Sequence, residues 1–108
     1  MQFDIDMKSA HKELFMSMRK LLIEDYKLKE IKKDRITTYS DHKSGICHMR
    51  TMVHGIDIGF LKGIRLEDKY GLLTGTGKVM RVISMETLDV DCVKYYIDQA
   101  ININTEKP

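Results

Sequence analysis

Apolar residues at Met7, Ala10, Leu14, Phe15, Met18, Leu21 and Leu22 recur at intervals of three and four, which lays them along one stripe of an α-helix. Lys8, Lys12, Glu13, Arg19, Lys20 and Glu24 fill the opposite face, and Asp6 stands where a helix N-cap is wanted. The spacing predicts a helix over 7–25. A second stripe of Val90, Val93, Ile97, Ala100 and Ile101 follows Asp89, an N-cap, with Asp91 in the first turn where its charge complements the helix dipole. It predicts a helix over 90–102 and a frayed tail over 103–108.

Between the helices the period changes from three-and-four to two. After a charged connector over 27–34, the β-branched and aromatic run Ile36, Thr37, Thr38, Tyr39 predicts a strand over 35–40. Asp41-His42-Lys43-Ser44-Gly45 reads as a hairpin turn. The next strand, 45–53, alternates Cys47, Met49, Thr51 and Val53 against Ile46, His48, Arg50 and Met52, and the first set is the expected core face because the second carries a cation. His54-Gly55 can make a tight turn, with Gly55 free to take positive φ, into a strand over 55–61 in which Ile56, Ile58 and Phe60 face one way and Asp57 and Gly59 the other. Strand texture returns over 79–85. The order helix, strands, helix, without a βαβ rhythm, predicts one α+β domain over 1–108: an antiparallel sheet of four to six strands with both helices on one face.

Composition narrows the class further. At 108 residues the chain is one domain, and 43% hydrophobic with 31% charged residues argues against disorder. Eighteen basic against sixteen acidic residues leave a net charge of +2, with no long run of one sign, so no nucleic-acid partner is expected. No apolar run approaches the roughly 20 residues that span a bilayer, and no membrane partner is expected either. Cys47 and Cys92, far apart in a chain that needs no staple, read as reduced thiols in the cytoplasm.

The segment from Lys62 to Gly77 is the irregular one. It holds Gly63, Gly71, Gly75 and Gly77, four of the seven glycines, together with Ile64, Leu66, Tyr70, Leu72 and Leu73, and so reads as a packed excursion. Its end, Gly75-Thr76-Gly77-Lys78, is not a P-loop: Leu72 occupies the first glycine position and Val79 the position of the magnesium-binding hydroxyl. It is not a dinucleotide fingerprint, because Met80 stands in the third glycine position. What remains is a glycine turn whose amides could cradle a small anion, with Lys62, Lys78 and Arg81 supplying charge. Arg81 is also expected to share a face with Val79 and Ile83 and to find an internal partner in Asp57.

Two other groupings bear on chemistry. Tyr39, His48, Arg50 and Asp57 could form a polar shelf on the outer sheet face, suited to acid–base work or to an ordinary solvated surface. For a metal site, Cys47 and His48 are adjacent and point to opposite faces of a strand, while His42, His48 and His54 are spaced by six, which is no ligand spacing. No metal-ligand set is assigned, and the eight methionines read as core filler.

The run from Arg35 to Ile83 resembles the YdhG-like family of bacterial domains of unknown function, related in fold to frataxin. The resemblance lies in Gly59-Phe60-Leu61-Lys62-Gly63, Leu66-Glu67-Asp68, Gly71-Leu72-Leu73 and Gly75-Thr76-Gly77-Lys78-Val79-Met80-Arg81. The family usually has Trp and Pro before the Tyr of the first strand and His after the signature Arg, where this chain has Ile36, Thr37, Thr38 and Val82. The resemblance implies a frataxin-like sandwich, and some relatives are described as iron chaperones. Frataxin gathers iron on an acidic ridge of its first helix, whereas here Lys8, Lys12, Arg19 and Lys20 interleave with Glu13, Glu24 and Asp25. The leading expectation is a non-catalytic binding or adaptor module, monomer or homodimer, for a protein partner or a small anion at Gly75, Gly77, Lys78, Arg81 and Lys62. An iron-binding chaperone is the alternative, and an enzyme of the His48–Arg50–Asp57 shelf the third.

Overall fold

The computed structural model describes residues 1–105. Five strands, β1 (Lys29–Lys32), β2 (Thr37–Ser40), β3 (Gly45–Thr51), β4 (Ile56–Phe60) and β5 (Arg81–Met85), form an antiparallel meander in which each pairs with the next in sequence. Three helices, α1 (Gln2–Met7), α2 (Lys12–Lys20, ending in a π-turn over Leu21–Asp25) and α3 (Val90–Thr105), complete the α+β fold. Phe15, Met18 and Leu22 of α2 and Val93, Tyr96 and Ile97 of α3 join Tyr39, Cys47, Met49, Ile58, Phe60 and Ile83 of the sheet in one buried cluster. Both longer helices therefore cover the same sheet face. Burying side chains of this size contributes roughly 1.5–3 kcal/mol each before entropy is counted. No helix of the described residues is long and apolar enough to cross a membrane.

The N-terminal helix is not continuous over 7–25. It breaks at Ser9, whose hydroxyl accepts the His11 amide at 3.0 Å, and restarts at Lys12. Asp6 does not cap it; the carboxylate is fully buried and accepts from the Thr51 amide (2.9 Å), the Thr51 hydroxyl (2.7 Å) and Gln2 Nε2 (2.8 Å). The end of β3 supplies better donors than a solvated helix start, so α1 closes the sheet's end and Ala10 is left exposed. The connector over 27–34 contains β1, an edge strand read as linker because its charge masks the alternation. One charge there is structural: Glu30 takes Arg19 Nε at 2.6 Å, Arg19 Nη2 at 2.8 Å and the Tyr39 hydroxyl at 2.9 Å. Burial alone would raise the Glu30 carboxyl, but these donors outweigh it and hold it below its usual range.

Cys47 and Met49 lie on the core face as the alternation predicts, with burial pushing the Cys47 thiol up to about 12. Val53, assigned to the same face, stands beyond the strand in the turn and is 98% exposed. At the far end, helix continues to Thr105 and buries Ile103 and Asn104 where fraying was expected; residues 106–108 of that tail lie outside the described residues. Asn104 Nδ2 donates to Ser44 Oγ at 2.9 Å, which holds α3 beneath the Asp41–Ser44 turn.

Two glycines are fixed by close approach. A Cβ on Gly55 would meet the Met85 carbonyl oxygen at 2.1 Å, so its role is contact with β5 rather than positive φ. A Cβ on Gly59 would meet the His48 ring at 2.4 Å, a side chain able to swing aside. We expect Gly55→Ala to destabilise the fold by about 3 kcal/mol and Gly59→Ala by about 1 kcal/mol, overpacking against backbone costing more than against a movable ring. Urea unfolding of the two variants checks the order.

Candidate functional site

The segment between β4 and β5 packs as a folded flap on α3. Leu66 enters the core, and Asp68-Lys69-Tyr70-Gly71 forms a turn closed by the Gly71 amide on the Asp68 carbonyl (3.1 Å), with Gly71 at φ +66°. Asp68 Oδ1 accepts the Leu72 amide at 2.9 Å and the Tyr96 hydroxyl of α3 at 2.7 Å, while the Tyr70 amide donates to the same hydroxyl at 3.2 Å. Gln99 adds a two-way bond to the Glu67 backbone, and Tyr70, Tyr95 and Tyr96 stack edge to face. The Tyr96 bond, with help from the flap amides, holds the Asp68 carboxyl below its usual range. Removal from water and the Asp68 bond push the Tyr96 hydroxyl up to about 12.

The flap rejoins the sheet at one residue. Thr74 and Val82 exchange two backbone hydrogen bonds of 2.8 Å. Past that bridge the flap leaves the edge of β5, because Asp68 has already claimed the Leu72 amide that a continuing ladder would need. The gap is a cleft of about 390 Å³. Its floor and walls are Ile83, Met85, Val93, Tyr70 and Leu72, and its mouth is set by Ser84, Glu86, Thr87, Asp89 and Cys92. Asp89 caps α3 as its sequence position predicts, accepting the Cys92 amide at 3.1 Å. Burial, then the Asp89 charge, raises the Cys92 thiol, so it is not an activated nucleophile.

The residues proposed for an anion site are placed as follows. Gly75, at φ +123°, Gly77 and Lys78 lie exposed in the turn before β5, and Arg81, the half-buried first residue of that strand, reaches back to it. Arg81 Nη1 donates to the carbonyls of Gly77 and Met80, both at 2.6 Å, so part of the guanidinium braces the turn. Lys62 is drawn away, its ammonium donating to Asn104 Oδ1 at 2.8 Å. Asp57 is not the partner of Arg81: the register sets Asp57 opposite Ser84 and Arg81 opposite Phe60, on opposite faces of the sheet.

His48, Arg50 and Asp57 do share the face that carries no helix. Tyr39 does not join them; it pairs with Cys47, lies fully buried on the core side, and leaves Thr38 as the neighbour of His48. Asp57 Oδ1 is taken by Ser84 Oγ (2.6 Å) and His54 Nε2 (3.1 Å), and the His48 ring lies against Gly59 with its Nδ1 buried and unbonded. Burial, with the nearby Arg50 charge, lowers the His48 pKa. Asp25 of the acidic set pairs with Lys94 at 3.4 Å, and among the described residues no three His, Cys, Asp or Glu side chains come together as a metal site. The cleft itself was missed by sequence reasoning; its signals were the Asp68…Gly71 turn pair and the Tyr95-Tyr96 pair at the matching place on α3.

Compared with known protein families, with curated proteins and with solved structures, the chain finds no match in any of the three.

Two outcomes are expected. Arg81→Ala should cost about 1–2 kcal/mol by removing hydrogen bonds to two carbonyls, and Lys78→Ala, an exposed change, less than about 0.5 kcal/mol, measured by thermal unfolding. In an NMR pH titration the Leu72 amide should follow Asp68 with a midpoint below the ordinary aspartate value of about 3.9. Because the folded pKa is depressed, the clamp is at full strength above the unfolded value and is lost as pH falls through the lowered one. A midpoint at or above the ordinary value contradicts the clamp.

Proposed function

We propose that this chain is a non-catalytic binding module of the cytosol and that its ligand sits in the cleft between β5 and the start of α3. The observation that carries the reading is the cleft: an apolar floor of Ile83, Met85 and Val93, a polar mouth, and a volume of about 390 Å³. Ligand pockets are commonly about 300–1,000 Å³ and combine mostly apolar walls with a few placed polar groups. The flap that forms one wall is tied to α3 through Asp68 and Tyr96, so the seat exists before a ligand arrives. The two cysteines are free thiols, which fits a reducing compartment. An anion at the 75–81 turn would fall mainly to Lys78, since Lys62 and part of Arg81 already have partners.

Amide-detected NMR with three probes separates the readings: a library of small apolar fragments, inorganic phosphate, and anaerobic ferrous iron. The cleft reading expects fragments to move Ser84, Met85, Cys92 and Val93. It fails if no fragment moves these amides while phosphate shifts Lys78 and Arg81, or iron broadens residues around Glu13, Glu24 and Asp25.

A further inference from the structure

The outer edge of β5 changes state halfway along. In β4–β5 the pairs alternate, and Val82 directs both its N–H and its C=O outward to Thr74 rather than to Gly59. Two residues on, by the same alternation, Ser84 must also direct its N–H and C=O outward. Among the described residues these groups meet no backbone partner, because the flap has turned away at Leu72. Ser84 is itself exposed and lines the mouth of the cleft. An unpaired donor and acceptor on a sheet edge thus open directly above an apolar trench.

Charge gives the second constraint. The cleft lining includes Glu86 and Asp89 and contains no Lys, Arg or His, and Asp91 follows at the start of α3. This is an acidic mouth on a chain whose net charge is positive.

Resting on the reading of this cleft as a ligand seat, we infer that it receives a short extended segment of a partner protein. The segment adds to β5 beyond Thr74 as a further strand, with alternate apolar side chains in the cleft and lysine or arginine facing Glu86 and Asp89. Strand addition draws affinity from main-chain hydrogen bonds and selectivity from pockets under every second side chain. Ser84 supplies the first, and the Ile83–Met85–Val93 floor with Tyr70 and Leu72 supplies the second. The Thr74 bridge stops the ladder at one end, so the segment is short. The same bridge limits a second copy of this chain as occupant: with the Val82 amide held by Thr74, symmetric β5–β5 pairing is left only the groups from Ser84 onward, and it would bring the Glu86 and Asp89 carboxylates of both copies together.

The test is selection of random displayed peptides on the full chain, followed by synthesis of the winners with single N-methyl groups along the backbone. The inference expects winners that alternate apolar residues and carry Lys or Arg. It expects methylation at every second amide to weaken binding about tenfold or more, the amides between being tolerant, because only alternate groups face β5. Glu86→Lys should weaken binding about tenfold, and added salt should weaken the parent complex too. Ser84→Pro removes the outward N–H at an edge position that tolerates proline and should abolish binding. Should that variant misfold, Leu72→Lys, which places a cation at the cleft wall, serves in its place. A selection that yields no binder overturns the inference, as do winners that are acidic or insensitive to methylation. A parent chain that dimerises through β5 and is made monomeric by Ser84→Pro overturns it as well. If apolar fragments occupy the cleft while peptides do not, strand addition fails and the cleft reading stands.

Discussion

The hydrogen bond between the Asp68 carboxylate and the Tyr96 hydroxyl, 2.7 Å long, decides where the surface of this molecule is open. The carboxylate faces two claimants, the amides of its own flap and the hydroxyl presented by α3, and one oxygen serves both. By holding Leu72 near α3 it denies that residue to β5, and the flap reaches the sheet only at Thr74. A flap free of this contact could extend its ladder along β5 and cover Ser84. The cleft and the unpaired edge are thus two results of one contact.

One-sided burial is the wider constraint on the sheet. The two longer helices cover one face, and the other carries Thr38, His48, Arg50, Asp57 and Ser84 without a covering element. On that face the His48 ring occupies the space over Gly59 that a side chain there would fill, and the imidazole, half-buried, has its pKa lowered by burial and by the nearby Arg50 charge. Asp57 is engaged by His54 and Ser84. Of the shelf's groups, Asp57 is thus bonded within the fold, while the buried His48 Nδ1 has no hydrogen-bond partner among the described residues. The β1 edge differs from β5: it is short and lysine-rich, and charge of that kind discourages further pairing.

Much of this fold was legible in the chain. The helix-spaced stripe behind Asp89, the Asp41…Gly45 turn and the alternating Ile56, Ile58 and Phe60 each have one reading, and the structure follows them. What could not be read depended on a distant partner. Asp6 looks like a cap until Thr51 offers it two donors, and Arg19 looks like an outer-face cation until Glu30 is brought beside it. Tyr39 was expected on the polar shelf, but strand parity sets it opposite Cys47 on the core side. The candidate site was the least legible part. Local composition drew attention to Gly75, Gly77 and Lys78, whereas the cleft arises from a turn at Asp68 meeting a helix 28 residues further on, and no local pattern encodes that meeting.

The account stands or falls on the edge of β5, and amide hydrogen exchange followed by NMR reads that edge residue by residue. Ile83, bonded into the β4 ladder, and Val82, bonded to Thr74, should exchange slowly, while Ser84 between Ile83 and Met85 should exchange close to the rate of an unstructured chain. Protection of Ser84 equal to that of Val82 would mean that the edge is already covered, and both the open strand and the seat above the cleft would be contradicted.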